Sequence, residues 1–395
     1  MIYIAVLLLL VSLTLRYDIN EKTKYRDHCY YIMLIIFILV AGLRWRLMVD
    51  TPTYIYNFYH EYPTLDKFSF RDYPIGEDPF YVLINSIVKS LVGRFYWVQL
   101  IEATFVNVLV FKYIKRHSAY IFTCLFFYAI TCYTGYSMET MRASFSLVIC
   151  LFAYDYILEK KWIKGYLLLF IALMFHAQTI VMFILPLFFF LRLNKIGVVF
   201  FIGAFLLGIV LQHILEEYIA LMEMSGEIGD KVENYVESDK YGTQGGNINF
   251  YIVRIFPYLA YPILSLLYMK KTAPDHELLK LEPFVMLGLS FMVMRMNFEI
   301  AYRYIDYFLI HFVLYFAFSF VKIAQNVLRV KKGVAYMRAV IVFIPFFLLI
   351  GYSRYLRLYT LVPYSSVFER NIDHNREIEY SKTKKFTPPP NVWEY

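Results

Sequence analysis

The sequence predicts an all-helical protein that crosses a membrane many times, and three observations carry that expectation. Of its 395 residues, 60% are hydrophobic, 20% aromatic and only 18% charged, with a mean hydropathy of +0.52. Soluble domains lie nearer about 45–50% apolar with roughly a quarter charged. Apolar runs of about 15–20 residues, long enough to span a bilayer as helices, recur along the whole chain. The loops between them alternate in charge, as the positive-inside rule requires of a polytopic chain.

The apolar runs place helices near 2–15, 29–45, 97–112, 118–134, 138–158, 163–176, 178–192, 196–215, 250–269, 283–296, 303–322 and 338–352, twelve spans in all. Several are short, which tilt or local bilayer thinning absorbs. The opening stretch has no basic residue ahead of its apolar run and no small-residue cleavage pattern, so a removable signal peptide is not expected. The stretch 79–93, PFYVLINSIVKSLVG, is amphipathic and carries Asn85, Lys89 and a terminal Gly93. It reads as a helix lying in the interface, because counting it as a span breaks the alternation of loop charge. The organisation expected is one transmembrane domain over 1–352, with outer loops 46–96 and 216–249, and an outer C-terminal tail over 353–395.

One set of short loops holds Arg16, Lys22, Lys24 and Arg26; Lys112, Lys115 and Arg116; Lys160, Lys161 and Lys164; Arg192 and Lys195; Lys270, Lys271 and Lys280; and Lys322, Arg329, Lys331, Lys332 and Arg338. These are 20 of the 39 basic residues, and they mark the cytoplasmic side. The opposite side receives the longer acidic loops, 49–79 and 216–249, the second of which could cover an outward cavity as a lid. The tail carries seven basic and five acidic residues and fits the orientation least well. The net charge of +8 is scattered through short loops, which excludes the basic patch of a nucleic-acid-binding domain. Cys29, Cys124, Cys132 and Cys150 lie in or beside apolar runs without CxxC spacing and read as packing residues. No HxxxH, paired-cysteine or DxD-like cluster suggests a metal, and no cofactor is expected.

With this topology the polar residues outside the loops gather on the outer face. They are Arg44, Arg46, Asp50 and Tyr54 after the second span; Glu77 and Asp78 before the interfacial helix; Glu139 and Arg142 at the opening of the fifth span; and His176 and Gln178 between the sixth and seventh. Further along come Arg254, then Arg295, Glu299, Arg303 and Asp306, and finally Arg354, Arg357 and Tyr364. Arg142, Arg254 and Arg303 sit near the N-terminal ends of inward-running helices, where a cation opposes the helix macrodipole. Positive side chains added to positive helix ends make an anion site, and arginine suits bidentate phosphate recognition. Each residue also has a plainer reading. Arginines at span ends snorkel to lipid headgroups. Glu139 and Glu299, three and four residues ahead of Arg142 and Arg303, could form helical ion pairs with them. His176 could be a hydrogen-bonded structural histidine, and Asp50 could simply open a turn before Pro52.

Five segments, in order, resemble the EpsG family. LRWRLMVDTPTYIYNF resembles its arginine, Asp-Thr and tyrosine signature after the second span, and EDPFYVLINSIVKSL its Glu-Pro motif before a short helix. The block METMRASFSLVICLFAYDYILEKKWIKGYLLLFIALMFHAQTIVMFILPL is similar to the family's most specific region. There an arginine opens one span and a histidine ends the next. AYRYIDYFL is similar to the later Arg-Tyr motif and YTLVPYSSV to the C-terminal Pro-Tyr segment. In one departure, Val49 precedes Asp50 where the family pattern has glycine, so the backbone of that loop must bend by other means.

The resemblance places the chain with the Wzy-type polymerases of bacterial capsule, O-antigen and exopolysaccharide synthesis, and implies a GT-C-like fold in the bacterial cytoplasmic membrane with an outward site. It implies transfer of a growing glycan from undecaprenyl diphosphate to the non-reducing end of a lipid-linked repeat unit, with undecaprenyl-diphosphate-linked oligosaccharides, membrane lipids and a chain-length regulator as partners. Arg44, Arg142 and Arg303 correspond to diphosphate-holding arginines and His176 to the histidine. Arg254, Arg295, Tyr54 and Tyr364 join the substrate-binding candidates. The reaction expected is an inverting, metal-independent displacement with His176, Asp50 or Glu139 as general base. The rival readings are a lipid-linked oligosaccharide flippase or polysaccharide exporter, which would need basic groups at mid-depth, and an O-antigen-ligase-type transferase, which differs only in acceptor.

Overall fold

The computed structural model describes residues 2–225, 251–325, 332–355, 360–370, 373 and 376. Among these every regular element is a helix, apart from one antiparallel bridge between Arg44 and Ser366. The helices are α1 (Ile2–Leu13), α2 (Arg26–Gly42), α3 (Thr51–Tyr56), α4 (Pro79–Leu91), α5 (Tyr96–His117), α6 (Ile121–Thr131), α7 (Met141–Leu158) and α8 (Trp162–Phe175). They continue with α9 (Lys195–Ser225), α10 (Phe256–Thr272), α11 (Glu282–Met294), α12 (Leu309–Gln325) and α13 (Lys332–Tyr355). The chain divides into two compact units, Met1–Pro186 with Arg354–Tyr395, and Leu187–Ser353.

Seven helical stretches among the described residues are long and apolar enough to cross a membrane: Ile2–Ile19, Tyr96–His117, Met141–Leu158, Lys195–Leu215, Tyr251–Thr272, Glu299–Gln325 and Gly333–Tyr352. The protein is therefore a membrane protein, with seven of the twelve expected spans reaching that length among the described residues. Some expected spans form shorter helices: α6 has 11 residues and α8 has 14, about 17–21 Å at 1.5 Å per residue against a hydrocarbon core of about 30 Å. The expected span 178–192 departs further. It folds as two tight 3₁₀ stretches, Ala177–Phe183 and Leu185–Phe188, the second of which holds Pro186, a residue without an amide proton to give to a helix. The interfacial segment is helical as expected, and α4 buries Tyr81, Val82, Asn85 and Val88 while Leu91 stands 76% exposed. Of the acidic loop expected over 216–249, the first part continues α9 to Ser225, and 226–250 lie outside the described residues, as do 377–395 of the tail.

In the first unit α7 packs chiefly on α8 and α5, and α2 on α5. The α7–α8 approach is close enough to require Gly165, where a Cβ would collide with Ile157 and press the Ala153 carbonyl. The end of this unit away from Arg142 is laced by ion pairs drawn from the basic loops. Arg116 meets Asp155 (3.3 Å) and Glu159 (2.5 Å), His117 lies 2.9 Å from Asp155, and Lys115 meets Asp27 (2.8 Å). Asp18, buried, accepts from the Thr123 amide (2.7 Å) and hydroxyl (2.8 Å) and so ties the end of the first span to the start of α6.

In the second unit α11 packs on α9 and α10 on α12. Gly288 lets the Phe312 ring and the Phe308 Cβ lie against the α11 backbone, where a Cβ would come within 2.8–2.9 Å of them. Along α9, Ile196, Val199, Ile202 and Leu206 are each more than half exposed, an apolar surface suited to lipid and untenable in water. Glu282, 3% exposed, accepts from Lys270 (2.5 Å) and the Leu193 amide (2.6 Å), with Arg192 at 3.8 Å. Removing one partner of a buried pair leaves an uncompensated charge. Glu282→Ala is expected to destabilise the protein by about 3–5 kcal/mol, read as a lower midpoint in detergent melts, with Glu282→Gln falling between it and the wild type.

Candidate functional site

The site is built where three helix ends of the first unit meet. Before α4, Asp78 adopts the left-handed backbone region (φ 53°), which aspartate tolerates better than most residues. Pro79 then starts the helix, its fixed φ and missing amide proton suited to the first position. At α7, Thr140 precedes the first turn, and Arg142 is its second residue. At α8, His176 ends the helix by turning to extended backbone (φ −157°, ψ 117°) and leads into the 3₁₀ stretch.

These ends converge on the Asp78 carboxylate, whose side chain is only 4% exposed. Asp78 Oδ2 accepts from Arg142 Nη1 at 2.9 Å and lies 3.6 Å from His176 Nδ1. Its other oxygen, Oδ1, accepts the Ala177 amide proton at 3.0 Å. Arg142 keeps 44% of its side chain exposed, whereas His176 keeps 18%. The His176 Nε2 edge faces the Gln178 amide at 3.3 Å. The guanidinium lies 5.9 Å from the Tyr54 ring centroid, and Tyr54 tilts against Tyr81 at 5.8 Å. Burial pushes the Tyr54 hydroxyl well above its ordinary pKa, with Asp50 adding to the rise and Arg142 opposing it. Burial raises Tyr62 as well, again against Arg142. Both therefore stay protonated at neutral pH and present hydroxyls beside the cation. Chemically, a half-exposed guanidinium, neutral phenols and an imidazole edge on one surface can hold an oxyanion and move a proton next to it.

The structure thus brings Tyr54, Arg142 and His176 together around a residue that the candidate set omitted. The Arg142 carboxylate partner is Asp78, and not Glu139 three residues before it. Glu139 is half-buried at the end of the Gly135–Glu139 turn, and Asp50 is half-buried ahead of α3. The sign of Asp78 in the sequence is Asp-Pro ahead of an apolar run, the mark of a helix start.

Arg44 is fully enclosed, and its guanidinium donates to the carbonyls of Ala41 (2.5 Å) and Met138 (2.9 Å). Glu102 on α5, also fully enclosed, is its electrostatic counterpart. Arg44 therefore steadies the turn that leads into α7. The loop after it bends through left-handed backbone at Arg46 (φ 48°) and Met48 (φ 73°), which supplies the bend that Val49 does not. Tyr364 donates to the Val40 carbonyl at 3.2 Å and packs edge-on against Tyr3. Its segment runs along the same loop through Trp45 N to Ser365 O (2.8 Å), Val367 N to Leu43 O (2.9 Å) and Met48 N to Thr360 O (3.1 Å).

Three candidates belong to the second unit. Arg295, at the C-terminal end of α11, is bound through two nitrogens to Glu299 at 2.7 and 2.9 Å, and its guanidinium lies over Tyr302. The pairing expected between Glu299 and Arg303 is thus made with Arg295. Arg303, in the short helix Tyr302–Ile305, lies near Tyr304, which stacks on Phe291. Arg254 falls in the widened turn Tyr251–Ile255 that precedes α10.

No curated protein and no solved structure matches the chain. A sequence model of the EpsG family matches residues 28–366, a stretch that contains Tyr54, Asp78, Arg142 and His176 as well as Arg254, Arg295 and Arg303, and the chain accordingly belongs to the EpsG family.

Proposed function

We propose that this protein is a GT-C-like membrane glycosyltransferase that polymerises lipid-linked oligosaccharide repeat units into a surface polysaccharide at the outer face of the bacterial cytoplasmic membrane. The observation that carries the reading is Arg142: a half-exposed guanidinium at the N-terminus of an apolar helix, held from behind by a buried carboxylate and flanked by an imidazole. A cation placed against the positive end of a helix dipole suits a polyanion in front of it. Family membership supports the polysaccharide class.

In this mechanism Arg142 holds the diphosphate of the undecaprenyl-linked growing chain, with the Tyr54 and Tyr62 hydroxyls as further donors. The acceptor is a hydroxyl at the non-reducing end of an incoming lipid-linked repeat. Its oxygen attacks the donor anomeric carbon from the face opposite the diphosphate, and a new glycosidic C–O bond forms with inversion. The C–O bond to the diphosphate breaks, and its electron pair leaves on the diphosphate oxygen, where Arg142 offsets the growing charge. The acceptor proton passes to His176 Nε2. Between the candidate bases, the contact of His176 with the Arg142–Asp78 pair favours the imidazole over Asp50 and Glu139. Metal independence belongs to the proposal, since the guanidinium takes the charge-neutralising part.

Three variants test it in a polymerase-deficient strain, each at normal protein level. Arg142→Ala is expected to abolish long-chain glycan and leave single repeat units on the surface. Arg142→Lys is expected to recover little, because a point charge lacks the guanidinium's two-pronged geometry. His176→Ala is expected to slow extension by about 10²- to 10⁴-fold, visible as a collapsed ladder. Repeats retained on the cytoplasmic side would show a flippase instead, and long glycan left on the carrier lipid a ligase.

A further inference from the structure

Asp78 has no part in the polymerase chemistry above, yet it is the most constrained residue of the site. Its carboxylate is almost wholly removed from water, takes the Ala177 amide proton on one oxygen and presents the other to both Arg142 and His176. A buried carboxylate without partners is costly, and one with a guanidinium, an imidazole and an amide around it is held in place. Its position relative to the imidazole is specific: it lies on the Nδ1 side, leaving Nε2 as the edge toward Gln178.

We propose that Asp78 is a positioning residue that acts through His176. A carboxylate on the Nδ1 side favours the tautomer with its proton on Nδ1, which leaves the Nε2 lone pair for the acceptor proton. The Gln178 side-chain oxygen opposite Nε2 opposes its lone pair, so this tautomer requires the Gln178 amide to turn away and leave Nε2 to the acceptor hydroxyl. The distance of 3.6 Å shortens when the proton arrives, as hydrogen bonds around catalytic bases commonly do on formation of the reacting complex. The attack itself is unchanged: the acceptor proton goes to Nε2, the glycosidic C–O bond forms and the diphosphate leaves with its electron pair. Asp78 stabilises the imidazolium that results and passes no proton of its own. The proposal rests on the polymerase reading.

Asp78→Asn separates this role from a structural one. Asparagine tolerates the same left-handed backbone, keeps an oxygen for the Ala177 amide, and replaces the charged oxygen that faces Arg142 and His176 with an NH₂ donor. The assay is extension of the repeat unit extracted on its carrier lipid from a polymerase-deficient strain, by full-length protein in vesicles. The variant is expected to accumulate normally and to lose about 100-fold or more in kcat. KM should stay unchanged or fall, because Arg142 is released toward the diphosphate. In the His176→Ala background the same substitution should cost less than about threefold, since residues acting as a unit are not additive. Asp78→Glu, which restores the charge at longer reach, should recover part of kcat. The proposal is overturned by kcat within about threefold of wild type, by a raised KM with unchanged kcat, by multiplicative losses in the double variant, or by Asp78→Glu no better than Asp78→Asn. Wild-type vesicles that leave the repeat unextended would be a separate failure, that of the polymerase reading, and would take the positioning role with it.

Discussion

A carboxylate kept from water decides the geometry of this site. Burying one ionised group costs several kcal/mol unless opposite charge and hydrogen bonds replace its hydration, and Asp78 finds both only where α4, α7 and α8 end together. The Ala177 amide and the Arg142 guanidinium come from segments far apart in the chain, so their joint satisfaction sets the register of three helices. The left-handed backbone at Asp78 and the proline after it set the angle at which α4 leaves. Tyr54 and Tyr81 then fill the space beside the guanidinium with rings.

The same helix that carries Arg142 carries the opposite arrangement at its far end. There Asp155 and Glu159 face Arg116, His117 and Lys161, all near the chain's basic loops. Thirteen residues separate Arg142 from Asp155, roughly 20 Å along the axis. At the far end anions meet cations in numbers and are neutralised. At the site end a single carboxylate serves an arginine that helix polarity disfavours, and nearly half of that arginine stays exposed. One end is closed by ion pairs, and the other keeps a cation in reserve.

Much of this was legible in the sequence, and the parts that were not share a cause. Arg142 and His176 could be placed at helix ends because apolar runs begin or stop beside them, and the structure puts them within reach of one carboxylate. The sequence shows Arg142 a partner only three residues away, at Glu139, because helical spacing is the only proximity a sequence displays. The actual partner lies 64 residues upstream. Glu299 illustrates the same ambiguity at short range: arginines stand four residues to either side, and it binds the earlier one. Arg44 reads in the sequence like any arginine at a span end, and only its enclosure assigns it to the Ala41 and Met138 carbonyls. Hydropathy gave 178–192 the look of a span, although it folds as two 3₁₀ stretches, the second holding a proline.

The strip of C-terminal chain laid against residues 40–48 has a bearing on how the protein is made. Tyr364 reaches back 324 positions to Val40, and Thr360 reaches 312 positions to Met48. At about 5–20 residues per second, the ribosome needs tens of seconds to deliver these partners after the loop has emerged. Until then the loop that leads to Tyr54, with its left-handed turns at Arg46 and Met48, lacks the backbone partners that residues 360–367 supply. The loop that leads to Tyr54 therefore gains these contacts only after residues 360–367 have been made.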